Sequence, residues 1–104
     1  MSQHDLPKHY MKLMQDYPEY MQAVKQLGEK ANQLGPIQGK YAHLIQLAAA
    51  ASQGSEGAVH SHTRRALEAG ATPEEIRHAV IILTSTLGFP QVSAALSWVE
   101  DVLG

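Results

Sequence analysis

The stretch SEGAVHSHTRRALEAGATPEE, residues Ser55–Glu75, decides how the chain is divided. Its first half is helix-forming and ends at Gly70, a residue that takes the left-handed conformation a helix terminus often needs. ATPEE at Ala71–Glu75 then starts a new helix. Thr72 suits the N-cap, Pro73 suits the first helical position, and Glu75 stands where it closes a capping box onto Thr72.

The same punctuation recurs on both sides. Downstream, Ile76, Ala79, Val80, Leu83 and Leu87 form a core stripe at helical spacing, which Gly88 ends. Pro90 opens a last helix with Val92, Ala95, Leu96, Val99 and Leu103 inward. Upstream, SQGS at Ser52–Ser55 is a short break. Before it, a helix from about Gln38 to Ser52 carries the stripe Tyr41, Leu44, Ile45 and Ala48, with Leu47, Ala50 and Ala51 filling much of the rest. A helix apolar on most sides reads as the buried, central one. Pro18 opens an earlier helix with Tyr20, Val24, Leu27 and Ala31 in register, and the Leu34–Pro36 sequence LGP stops it. No strand-like alternation interrupts this pattern. The expectation is an all-α fold of five to six helices: one domain over 1–104, with a helical arm at 1–34 and a core at 35–104.

Composition narrows the functions. A chain of 104 residues can bury roughly two-thirds of its unfolded surface, enough for one core. The net charge of −2 and the lack of a basic cluster point away from nucleic acid. The most apolar stretches, HLIQLAAAA and AVIILTSTLGF, are too short to span a bilayer. MSQHDLPKH at the start has no apolar core and does not read as a signal peptide. There is no cysteine, so disulfides, thiolate metal ligands and thiol peroxidase chemistry are excluded. Both features fit a cytoplasmic protein.

Helix geometry separates the histidines of the quoted stretch. At 3.6 residues per turn, His60 and His62 point about 200° apart. His62 lies on a stripe of Ala58, Ala66 and Ala69 and faces the core or a pocket. There it is either a core histidine bonded to a carbonyl or a general acid/base, whose free pKa suits proton transfer near neutrality. His60 lies on the charged stripe Glu56, Arg64, Glu68 and faces solvent or a neighbouring subunit, an i,i+4 partner of Glu56 and Arg64. His78 flanks a core stripe. His4 and His9 fall in the N-terminal arm, whose tyrosines and methionines read as packing.

HTRRALEAGATPEEIRHAVIILTSTLGFPQVSAAL, His62–Leu96, resembles the carboxymuconolactone decarboxylase family, which includes the alkylhydroperoxidase D-like proteins. The pattern is a histidine, eight residues to a glycine, a capped PEEI helix, a Gly–Pro turn and an Ala-rich last helix. GKYAHLIQLAAAA upstream resembles the helix preceding the family's active site, and the likeness runs from about Gly35 to Leu103. It implies an alkylhydroperoxidase D-like bundle that assembles as a homotrimer or homohexamer.

The peroxidase branch of that family carries Cys-x-x-Cys at what are here Ser55 and Ala58, with a histidine four residues after the second. A serine hydroxyl cannot cycle through sulfenate and disulfide, so dithiol peroxide reduction is lost. The decarboxylase branch lacks the pair and keeps the histidine. A gapless alignment places His43 where the peroxidase branch has a glutamate proton relay. The resemblance therefore implies a shared pocket for His43 and His62, with Ser55 on nearly the same face of its helix. The expected site residues are His62, His43 and Ser55, acting on a small carboxylated lactone or related acid with no cofactor. Two other readings stay open: a peroxidase-like protein that has lost its redox cysteines, and a non-catalytic or histidine-based metal-binding oligomer. A metal on His43 and His62 needs a third ligand, which Glu56 or His60 could supply only across an interface. A carboxylated substrate needs a cationic anchor, and Arg64, Arg65 and Arg77 are the only arginines. All three fall on polar faces.

Overall fold

The computed structural model describes residues 8–104. Its helices are α1 (Lys8–Asp16), α2 (Pro18–Gln33), α3 (Lys40–Ser52), α4 (Glu56–Glu68), α5 (Pro73–Ile81), α6 (Thr84–Leu87) and α7 (Phe89–Leu103), and no strand occurs among the described residues. The all-α expectation holds, with two short helices where one long one was read. The chain divides into two compact units, Met1–Gln38 and Gly39–Gly104. The first contributes α1 and α2, neither of which buries a residue fully. The second holds His43, His62 and the core. His4 lies outside the described residues.

The helix ends form as their residues dictate. At the end of α4, Gly70 takes φ +98°, its N–H bonds Leu67 O, and Ala71 N–H reaches back to Ala66 O at 2.9 Å. This is a Schellman motif, and a side chain at Gly70 would be strained there. Thr72 then accepts from Glu75 N at 3.1 Å while its own N–H donates to Glu75 Oε1 at 2.9 Å, completing the capping box. The hydrogen bond from the Thr72 backbone N–H, followed by that from Lys40, holds the Glu75 carboxyl below its ordinary pKa. Thr72→Ala should therefore lower stability by about 1 kcal/mol, read as a shift of the urea midpoint with an unchanged slope.

The core of the second unit is built from small and β-branched side chains. Leu47, Ala50 and Ala51 of α3 meet Val59 and Ala66 of α4, Ile76 and Val80 of α5, and Val92, Ala95 and Val99 of α7. Leu47, Val59, Ile76, Val80 and Val99 are wholly buried. The stripes expected in α5 and α7 are the ones that pack, although Leu83, Leu87, Leu96 and Leu103 sit at the margin.

Two features differ from the sequence reading. The face of α3 that packs inward is Ala42, Leu47, Ala50 and Ala51, whereas Tyr41 and Ile45 are 59% and 54% exposed. An alanine-rich helix has two apolar faces, and hydrophobicity alone does not choose between them. The helix read as running to Leu87 breaks after Ile81. Leu83 N–H bonds Val80 O, three residues back, and Thr84 Oγ1 donates to Ile81 O at 2.6 Å. Side-chain capture of a carbonyl by threonine competes with the helical ladder there.

Long-range polar contacts fasten the helices of this unit. Lys40 Nζ at the start of α3 lies 3.1 and 2.9 Å from the two oxygens of Glu75 in α5. Gln91 of α7 donates Nε2 to Ala51 O and Ser52 O at the end of α3, at 3.2 and 2.7 Å. Arg77 holds Glu100 with two bonds of 2.7 and 3.0 Å.

Candidate active site

The two histidines of the expected site stand on successive helices. Gly54, at φ +65°, ends α3 in a second Schellman motif, with Gly54 N–H on Ala51 O and Ser55 N–H on Ala50 O. The chain reverses within Gln53–Ser55, and α4 packs back along α3. This turn brings His62 of α4 into the electrostatic reach of His43 of α3.

Both rings are partly buried. Nδ1 of each is withdrawn from solvent and meets no hydrogen-bonding group of the protein. An unmet buried polar atom is costly, by about 1–3 kcal/mol, so two on adjacent helices mark a place suited to an outside partner. Burial pushes the His62 pKa below its ordinary 6.5, and positive charge on Arg65 and then on His43 pushes the same way. His62 is therefore neutral at pH 7, with a lone pair available to a proton.

Ser55 has a structural duty. It is the N-cap of α4, and its Oγ accepts from Ala58 N at 3.4 Å. The sequence reading placed this hydroxyl beside His62 as a partner, but the hydrogen bond it makes is to the backbone. Its proton remains available for donation.

His60 takes a different place from the one expected. Its Nε2 lies 3.0 Å from Asp101 Oδ2 of α7 and 4.0 Å from Glu56 Oε2, and Arg64 is not its partner. The side chain is 25% exposed, clasped between helices of one chain. Glu56, His60 and Asp101 present ligand-type atoms within 4.8 Å of one another. His43 and His62 belong to no such three-residue group among the described residues. His60→Ala should leave turnover within about twofold of wild type, while loss of this partly exposed contact lowers stability by no more than about 1 kcal/mol. Parallel rate and thermal-melt measurements check both halves.

Thr63 was missed. It is wholly buried in α4, and its Oγ1, like the two imidazole atoms, has no hydrogen-bond partner. The signal was present in the stripe Val59, Thr63, Ala66, which is the face of α4 that packs. Reading the stripe one residue away, through His62, concealed it. His78 is exposed, as a helix-boundary residue is expected to be.

Comparison with known proteins agrees with the fold and the order of its parts. A crystal structure of an apo carboxymuconolactone decarboxylase family protein from Legionella pneumophila superposes with a TM-score of 0.75. The match covers 92% of this chain and 88% of that one at 23% identity, a likeness of fold. An uncharacterized protein of Methanocaldococcus jannaschii is 31% identical over 87 residues, 84% of this chain and 81% of the relative. The sequence pattern of the carboxymuconolactone decarboxylase family matches residues 18–101, extending into α2 the resemblance first legible from Gly35. The chain belongs to the carboxymuconolactone decarboxylase family.

Proposed function

We propose that the chain catalyses cofactor-free proton transfer on a small carboxylated lactone or related acid, with His62 as the acid/base. The observation that carries this reading is the pair of buried, unpartnered Nδ1 atoms on α3 and α4. A neutral imidazole at His62 takes a proton from a carbon made acidic by the lactone carbonyl, and the imidazolium returns one where the electron pair comes to rest. In the decarboxylating version the bond from carbon to carboxylate breaks and CO2 leaves. The electron pair enters the conjugated lactone carbonyl, and neutral His62 passes a proton of water to carbon, taking it on one ring nitrogen as the other gives up its own, which leaves hydroxide. His43 offers a hydrogen bond to the oxygen that gains charge. Ser55 stands at the head of the same helix.

Proton NMR in D2O with a panel of carboxylated γ-lactones tests this directly. The expected result is CO2 release or deuterium at the carbon beside the carbonyl, unaffected by EDTA. A panel left wholly unchanged by the protein overturns the reading.

The protein is further proposed to act as a homo-oligomer. Tyr20, Val24 and Leu27 of α2 are 62%, 47% and 71% exposed, and Ile82 and Phe89 are 60% and 66% exposed. Exposed apolar side chains on this scale, in each unit taken by itself, mark surfaces that a neighbouring chain covers. Light scattering at micromolar concentration should return the mass of three or six chains, and a monomer would refute this.

A further inference from the structure

The acidic and basic side chains of the second unit are largely matched to one another. Lys40 is held by Glu75 and Arg77 by Glu100. Among the described residues of this unit only Arg64 and Arg65 remain as cations with no carboxylate partner. They differ in direction. Arg64 follows His62 by two residues and points about 200° away, on the stripe of His60. Arg65 follows by three and points about 60° away. Residues so spaced stand on one side of a helix with Cβ atoms about 5–6 Å apart. One turn before and one turn after the pair on that side lie Ala58 and Ala69, whose side chains end at Cβ. Arg65 is exposed. Its charge is close enough to disfavour a second charge on the His62 ring.

We propose that Arg65 is the carboxylate anchor of this site. It takes a small organic anion by its carboxylate and sets the ring of that anion over His62 and His43. This rests on the acid/base reading above and adds what that reading lacks, a cation to hold the substrate. A guanidinium one turn from the imidazole has the fork geometry that a carboxylate matches with two hydrogen bonds. The alanines that flank the pair along the helix add no bulk to that side of α4. The two buried Nδ1 atoms supply the polar partners for the uncharged end of the ligand.

The test is a titration of the full chain, labelled with 15N, followed through the imidazole resonances. The probes are 5-oxotetrahydrofuran-2-carboxylate and its uncharged counterpart γ-butyrolactone. The carboxylate should shift the His62 resonances and raise the His62 pKa, because a bound anion favours the imidazolium. Arg65→Gln should weaken the carboxylate about tenfold, Arg65→Lys by less, and Arg64→Gln hardly at all, with γ-butyrolactone unchanged throughout. The anchor is overturned by three results: no response of His62 to the carboxylate at tens of millimolar, Arg65→Gln binding within twofold of wild type, or equal losses in Arg64→Gln and Arg65→Gln. The two ideas fail separately. Arg65-dependent carboxylate binding without His62-dependent proton transfer removes the chemistry and keeps the anchor. His62-dependent turnover with unchanged affinity in Arg65→Gln removes the anchor and keeps the chemistry.

Discussion

His62→Gln is expected to lower proton-transfer turnover by about 10²–10⁴-fold, the usual contribution of a positioned acid/base. Glutamine keeps a polar side chain of similar reach but cannot gain and lose a proton near pH 7. The neighbours of His62 on α4 are small, so the exchange adds no crowding. The pH dependence has a definite sign. Turnover needs the neutral ring, and the ring's pKa is held below 6.5 by burial and by Arg65. The rate should rise with pH, with its midpoint below the ordinary histidine pKa, and lose this limb in the variant. Stability follows the same group by linkage. The unfolded chain binds the proton more readily than the folded one. The stability associated with a neutral His62 is thus complete above 6.5 and is lost as pH falls from there through the folded pKa. His62→Gln should flatten that part of the stability profile. A variant with full turnover on a substrate of the wild type would return His62 to the role of a core histidine.

Leu47→Ala is expected to be the most destabilising single truncation, by about 2–5 kcal/mol. Leu47 is wholly buried at the centre of α3, in a cluster whose buried members on α4, α5 and α7 are mostly alanines and valines. Those are short and cannot extend into the space a leucine leaves, so relaxation is poor. Against a whole-domain stability of about 5–15 kcal/mol, such a loss is large. Urea unfolding should show the midpoint falling sharply. A loss below 1 kcal/mol would mean that the helices close over the gap.

The helix boundaries were legible because they depend on a few adjacent residues. Thr72, Pro73 and Glu75 announce a start, and Gly70 and Gly88 announce ends, with no information needed from elsewhere in the chain. The opposed directions of His60 and His62 were legible for the same reason, since they follow from helical pitch. Faces were less legible. α3 is apolar all round, and only its packing against α4, α5 and α7 selects Leu47 over Tyr41 and Ile45. The ion pairs were not legible at all. Asp101 meets His60 across 41 positions, and Lys40 meets Glu75 across 35. The consequence for the site is direct. With Arg77 engaged by Glu100, Arg65 stands out as an available cation on the His62 side of α4, a distinction invisible when all three arginines simply fall on polar faces.

The fastening of α3 has a mechanical meaning. Lys40 ties its first turn to α5, and Gln91 ties its last carbonyls to α7. His43 lies between these two points, so α3 behaves as a beam clamped at both ends. Tilting that beam against α5 and α7 strains one of the clamps. The bearing of the helix that carries His43 is therefore set when the chain folds, before any ligand arrives.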